Sequence, residues 1–267
     1  MTAIFITETI DYAVANGAII RGYTDRVTVT IQGKPDVCTG MISDFGDVKP
    51  IFKAALDDYD HRLLVTSSDV KASGGGVIRA YGKQDRWGPA MYCLLIMADL
   101  EDQIKPLVVT SVTARNICAD PYTDVGLPTH YAHCLFKHKG VCKRMHGHSS
   151  RVVAITKDGA EDRRATSQAV ELLRGAFVVS SDKVDQSSNT GVWEMRTDDC
   201  LLALPKRLFF LLPAGVEATA ENIVERLFEM LTPHHDIAAL VLYEGINKGA
   251  IAGEHGAIGR WLRCNRF

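Results

Sequence analysis

Four short segments recur in the same order along the chain. Asp11-Tyr12-Ala13-Val14 returns as His130-Tyr131-Ala132-His133, and Gly22-Tyr23-Thr24-Asp25-Arg26-Val27 returns as Gly147-His148-Ser149-Ser150-Arg151-Val152. Further on, Leu64-Val65-Thr66-Ser67-Ser68-Asp69 is echoed by Phe177-Val178-Val179-Ser180-Ser181-Asp182, and Leu107-Val108-Val109 by Leu240-Val241-Leu242. A tandem duplication constrains the fold strongly, because the topology one half adopts must be adopted again by the other. The spacing between matched segments varies, so the halves differ by insertions. The turn-forming stretch 119–128, ADPYTDVGLP, is the natural joint and divides the chain into halves 1–118 and 119–267.

Within each half the hydrophobic pattern predicts the same elements. Val27, Val29 and Ile31 alternate on one side of a half-buried strand. Val48, Ile51, Phe52, Ala55, Leu56 and Tyr59 keep helical spacing, with Asp47 as the expected N-cap and Pro50 in the first turn. In the second half Ala169, Val170, Leu172 and Leu173 behind Thr166 predict a counterpart helix. Thr219 caps a helix with the stripe Ile223, Val224, Leu227, Phe228 and Leu231, and Ile237 to Tyr243 reads as a buried strand. A strand pair, two helices and a second strand pair, occurring twice, predict an α+β fold with helices on one face of antiparallel sheets.

Composition excludes several classes of function. The chain has 267 residues, 46% of them hydrophobic and 23% charged, which suits a folded domain and not a disordered one. No apolar run reaches the roughly 20 residues that span a bilayer, and the first residues carry no basic segment of the export type, so a cytoplasmic protein without membrane contact is expected. Basic and acidic residues number 30 and 32, with neither half strongly basic, and nothing marks a nucleic-acid-binding surface. The 7 cysteines are odd in number and scattered, which argues for reduced thiols.

Histidine is the unevenly distributed residue, with His130, His133, His138, His146 and His148 crowded together. On a strand, residues two apart project to the same side, so His146 and His148 can reach one ion, and His133 on the adjoining strand can add a third nitrogen. Three protein ligands leave a coordination position open, as in a catalytic zinc site. Cys142 lies just upstream of the His-Gly-His segment.

At these residues the sequence resembles the 6-pyruvoyl-tetrahydropterin synthase and 6-carboxy-tetrahydropterin synthase family, enzymes of the tunnelling fold, or T-fold. The matching features are Tyr131-Ala132-His133 followed by Cys142 and His146-Gly147-His148; Gly40-Met41-Ile42-Ser43-Asp44-Phe45 leading to Asp60-His61-Arg62-Leu63-Leu64; Thr219-Ala220-Glu221-Asn222; and Leu242-Tyr243-Glu244. The resemblance implies a tandem T-fold that closes into β-barrels by assembly, hence a homo-oligomer. It implies a zinc-dependent lyase acting on 7,8-dihydroneopterin triphosphate, with His133, His146 and His148 as metal ligands. Cys142, Asp60 and His61 are then catalytic, and Glu244, Thr219 and Glu221 bind the pterin. Three residues separate Cys142 from His146, a spacing similar to the 6-carboxy branch of the queuosine pathway; the 6-pyruvoyl branch and a non-catalytic pterin-binding protein are the alternatives.

The halves divide these features between them. Where the second half has His133, His146, His148 and Glu244, the first is expected to have Val14, Arg21, Tyr23 and about Ser111; where the first has Asp60-His61, the second has about Arg174-Gly175. This complementary loss predicts a composite site, formed either within one chain or between chains. Other candidates read as structural: Cys134 as core, His234-His235-Asp236 as a polar turn, Ser73-Gly74-Gly75-Gly76 as a flexible hairpin, and Arg260, Arg263 and Arg266 as a solvated tail.

Overall fold

The computed structural model describes residues 2–16, 19–39, 41–66, 70–79, 89–117, 126–197, 200–245 and 248–264. The expected joint falls, at its residues 119–125, outside this set, as do Gly40, Ser67-Ser68-Asp69, Cys118 and Arg266.

In the first half a long hairpin, β1 (Thr2–Ala15) and β2 (Ile20–Gly33), is followed by helix α1 (Phe45–Asp57), β3 (Arg62–Val65), β4 (Ala72–Gly74), β5 (Val77–Arg79), helix α2 (Pro89–Gln103) and β6 (Val108–Asn116). The second half opens on the hairpin β7 (Leu127–His133) and β8 (His146–Thr156), then α3 (Arg163–Leu173), β9 (Ala176–Ser180), β10 (Val184–Asp185), β11 (Val192–Arg196), β12 (Cys200–Pro205), β13 (Phe209–Leu212), α4 (Ala220–Leu231), β14 (Ile237–Glu244), β15 (Gly249–Gly253) and α5 (His255–Cys264). The first sheet runs β5-β3-β1-β2-β6 and the third β13-β9-β7-β8-β14-β15. The same crossings occur in both: hairpin strands antiparallel, β3 parallel to β1 as β9 is to β7, and β6 antiparallel to β2 as β14 is to β8.

Pairing register corrects two of the sequence alignments. Tyr12 faces Arg62, and its counterpart Tyr131 faces Ala176. Leu63, not Leu64, therefore corresponds to Phe177. Asn116 faces Asp25 as Glu244 faces Ser150, so the counterpart of Glu244 is Asn116 and not Ser111. The strand ending at Asn116 is a run of Val, Thr and Ala with no internal marker, and a bulge between Thr30 and Ile31 shifts its register, so sequence similarity had nothing to align on.

Caps are corrected too. Helix α1 starts three residues earlier than expected, on Asp44, whose carboxylate accepts from Gly46 N; Pro50 lies inside the helix, and Asp47 sits in its first turn. Helix α3 starts on Asp162, which accepts from Arg164 and Ala165, while Thr166 is buried within it. Thr219 does cap α4, accepting from Asn222 N. Each fully buried Leu or Ile in the α4 stripe contributes roughly 1.5–3 kcal/mol by removal from water.

The glycine run is not a hairpin. β4 pairs with β12 of the second half while β5 pairs with β3, so the run joins two different sheets and ties the halves together. A shared core deepens the tie: Ala13, Ile20, Leu63 and Val65 pack with Ala132, Cys134, Phe177, Met195 and Leu202. Helices α1 and α2 cover the opposite face of the first sheet. No described helix is long and apolar enough to cross a membrane.

Candidate active site and metal centre

Gly22 of β2 and Gly147 of β8 set the meeting of the halves. A Cβ on Gly22 would lie 1.8 Å from Tyr131 O and 2.4 Å from His148 N, and one on Gly147 would lie 2.4 Å from Gly22 Cα. Only glycine lets the backbones approach this closely. The contact is locked by reciprocal hydrogen bonds, Thr24 N to Ser149 Oγ at 3.0 Å and Ser149 N to Thr24 Oγ1 at 3.2 Å. Side chains of β1 and β2 are thereby laid against the histidines of β8.

His133 and His146 face each other in register across β7 and β8, and His148 follows two residues on. All three are buried, exposing 2%, 1% and 2% of their surface. His133 Nε2 lies 3.1 Å from His146 Nε2 and 3.0 Å from His148 Nε2. Behind each ring stands an acceptor: Ala218 O at 2.6 Å from His133 Nδ1, Arg144 O at 2.8 Å from His146 Nδ1, and Asp11 Oδ1 at 3.1 Å from His148 Nδ1. The Asp11 contact is oblique, at ion-pair distance without the alignment of a straight hydrogen bond.

With each ring proton assigned to Nδ1, where the acceptor is, three Nε2 lone pairs converge on one point. Burial, followed by repulsion from the neighbouring imidazoles, holds His133 down at about 4 and His146 well below the usual range, so both are neutral at neutral pH. Converging imidazole nitrogens fit a divalent transition-metal ion. His133 Nε2 sits slightly closer to the other two nitrogens than the about 3.3 Å edge implied by tetrahedral Zn–N bonds of about 2.0–2.1 Å.

Glu244 is not an exposed strand-end acid. Its Oε1 accepts from the buried Tyr131 hydroxyl at 2.6 Å and lies 3.4 Å from His148 Nε2 and 3.9 Å from His133 Nε2. Burial alone would raise its pKa, but His148, His133 and Tyr131 outweigh burial and lower it. Asp11 behaves likewise: His148, Lys248 and Thr24 overcome its burial and keep it ionised.

The catalytic candidates of the first half arrive at the same place. His61 Nε2 lies 3.5 Å from Cys142 Sγ, and Asp60 Oδ2 lies 2.9 Å from His61 Nδ1. The His61 ring is 4.3 Å, centroid to centroid, from that of His146. Burial disfavours the imidazolium, but Asp60 and Cys142 more than offset it and push His61 up to about 9. His61 has φ 53°, left-handed for a residue with a side chain, and Gly175 at the equivalent place has φ 65°. Both amides bond the facing hairpin strand, His61 N to Asp11 O at 2.6 Å and Gly175 N to His130 O at 3.0 Å. The duplicated turn is thus glycine where it has no side-chain task and histidine where a side chain reaches Cys142.

Remaining candidates lie elsewhere. Thr219 serves as the α4 cap, next to the Ala218 carbonyl that holds His133, and Glu221 is exposed. Cys134 is in the core. His235 contacts Gln168 and Asp162, Asp236 pairs with Lys157, and Arg260 donates to Lys157 O. Sequence reasoning did not find Asp11 or Tyr131 as site residues, although both stand in the first repeated segment.

A family model for 6-pyruvoyl tetrahydropterin synthase matches residues 13–123 and again 128–255. The chain belongs to that family. Its two matched segments make it a tandem form of the family's T-fold, in agreement with the repeated sheet topology. Among solved structures, a catalytic-residue mutant of Plasmodium vivax 6-pyruvoyltetrahydropterin synthase aligns at 16% identity and TM-score 0.35, over 48% of this chain and 91% of its own. Caenorhabditis elegans 6-pyruvoyl tetrahydropterin synthase aligns at 13% identity and TM-score 0.28, over 43% of this chain and 96% of its own. No curated protein gives a match.

Proposed function

We propose that the chain is a zinc-dependent tetrahydropterin synthase of the 6-carboxy type, a lyase converting 7,8-dihydroneopterin triphosphate with loss of triphosphate and cleavage of the side chain. The single observation that carries the reading is the adjacency, within one chain, of the Cys142-His61-Asp60 array and the three converging histidine nitrogens. In this reading half 1–118 contributes Asp60 and His61, and half 119–267 contributes the metal ligands, Cys142 and Glu244.

His133, His146 and His148 would hold the ion. Zinc bound there supplies a Lewis acid that acidifies hydroxyl and C–H groups of a neighbouring substrate side chain. Cys142 takes the proton from substrate carbon as the thiolate, the basic form of the thiol. His61, protonated at neutral pH beside Cys142, holds the thiol in its basic form and can give its own proton to the reacting substrate, and Asp60 keeps the ring oriented while supporting the imidazolium. Strain at His61 is consistent with this role, since residues held at unfavourable φ gather at working sites. Glu244 would accept N–H groups of the pterin edge, with Thr219 and Glu221 nearer the periphery. The short Cys142–His146 spacing favours the 6-carboxy product over the 6-pyruvoyl one. A second reading of Glu244, favoured by its 3.4 Å approach to His148 Nε2, is a fourth metal ligand.

The test is incubation of the zinc-loaded protein with 7,8-dihydroneopterin triphosphate and identification of the products by mass. A 6-carboxy-tetrahydropterin together with acetaldehyde supports the reading. A 6-pyruvoyl product moves the chain to the other branch, and tight pterin binding without turnover makes it a binding protein. Assembly into a homo-oligomer through the sheets, and a cytoplasmic location, belong to the same proposal.

A further inference from the structure

The half that lacks metal ligands retains one residue that touches both chemical groups of the site. Asp11, 8% exposed on β1, places carboxylate Oδ1 3.1 Å from His148 Nδ1. Its backbone N–H donates to Asp60 Oδ1 at 2.9 Å, and its backbone carbonyl accepts from His61 N at 2.6 Å. Thr24 Oγ1 donates to the same carboxylate oxygen, and Lys248 Nζ lies 3.3 Å from the other. The chain of contacts His148–Asp11–Asp60–His61–Cys142 therefore runs through one residue.

We propose that Asp11 is a positioning residue that couples the metal centre to the proton-relay pair, its carboxylate setting the orientation of His148 and its backbone setting that of Asp60 and His61. The inference rests on the metal reading of the three histidines. His133 and His146 lean on backbone carbonyls, which the fold supplies whatever the sequence, whereas His148 leans on a charged side chain from the other half of the duplication. A carboxylate behind an imidazole selects the tautomer whose far nitrogen is free to ligate and raises that nitrogen's basicity, and losing such support typically weakens metal binding about 10–100-fold. A buried carboxylate is costly to keep, and Thr24 and Lys248 act as its supports. In the second half the position of Asp11 is occupied by His130, whose backbone makes the equivalent turn contact with Gly175 N and whose side chain is not a ligand. The feature that persists in both copies is the backbone contact; the carboxylate occurs in the copy that faces the metal site.

The experiment uses the full chain, stripped of metal and titrated with zinc against a chromophoric chelator, and in parallel loaded with cobalt(II) to record its visible absorption. Asp11→Ala is expected to bind zinc about 10–100-fold more weakly than the parent and to shift the cobalt bands. Asp11→Asn, which keeps volume and an acceptor oxygen, is expected to lose less. Tyr12→Phe, next to Asp11 on β1, removes a hydroxyl that donates to Asp25 Oδ2 of β2 at 2.8 Å; it is expected to lower the melting temperature and leave zinc affinity unchanged, separating positioning from general destabilisation. Parental zinc affinity and cobalt spectrum in Asp11→Ala overturn the proposal. If Asp11→Ala does not fold, Asp11→Asn decides, and parental affinity and spectrum in that variant overturn it equally. Failure of the parent chain itself to bind zinc or cobalt overturns the metal reading, and this inference with it.

Discussion

His61 Nε2 lies 3.5 Å from Cys142 Sγ although the two residues are 81 positions apart and belong to different halves of a duplicated chain. Both stand in one chain, so the composite arrangement needs no second subunit to bring them together. Neither half has the pair alone.

His61→Ala and Cys142→Ala are each expected to lower turnover by about 10²–10⁴, the range for loss of a positioned acid–base group. Co-refolding the two inactive variants should restore nothing, because every mixed assembly still lacks an intact pair in each chain. Recovery of a sizeable fraction of parental kcat in the mixture would show that the functional pair forms between chains.

Metal analysis of the purified protein should give one zinc per chain. His146→Ala combined with His148→Ala should abolish it, and Cys142→Ala should leave it intact, since Cys142 is proposed as a base. Glu244→Gln discriminates the two readings of that residue: unchanged zinc affinity with a raised KM marks a pterin contact, and weaker zinc binding marks a ligand.

The left-handed backbone at His61 predicts a trade between stability and activity. A non-glycine residue held in that region costs on the order of 1–2 kcal/mol, which glycine does not incur. His61→Gly and His61→Ala should be equally inactive, while urea unfolding should find the glycine variant the more stable by about 1 kcal/mol. Equal stability would remove strain as the reason why the other copy has Gly175.

Burial, with the charges of Arg21 and Arg174, pushes His130 down to about 4. In the unfolded chain its pKa is about 6.5. The unfolded state therefore binds the extra proton between these values, and the contribution of His130 to stability is full above about pH 6.5 and declines as pH falls towards 4. Urea midpoints measured in excess chelator should drop more steeply between pH 7 and 4.5 for the parent than for His130→Gln. Parallel curves would show that His130 titrates normally in the folded state.

Local signals were sufficient for the parts of the protein that obey a short period. The alternation of β2, the α4 stripe behind Thr219, and the same-side projection of His146 and His148 follow from periods of 2 and 3.6 residues, and the repeated segments required the sheet to occur twice. Helix α2 was not legible, because PAMYCLLIMADL is apolar all round and shows no stripe. Placement of β4 in a sheet of the second half, the bulged register that makes Asn116 the counterpart of Glu244, and the arrival of Asp11 behind His148 beside the close crossing of Gly22 and Gly147 are all settled by long-range packing. Sequence determined which side chains could perform chemistry and on which strand they stand. Only the tertiary structure decided which of them meet, because the contacts that join the two halves at the site link residues as far as 81 and 237 positions apart and are set by how two sheets pack, a quantity that no local period encodes.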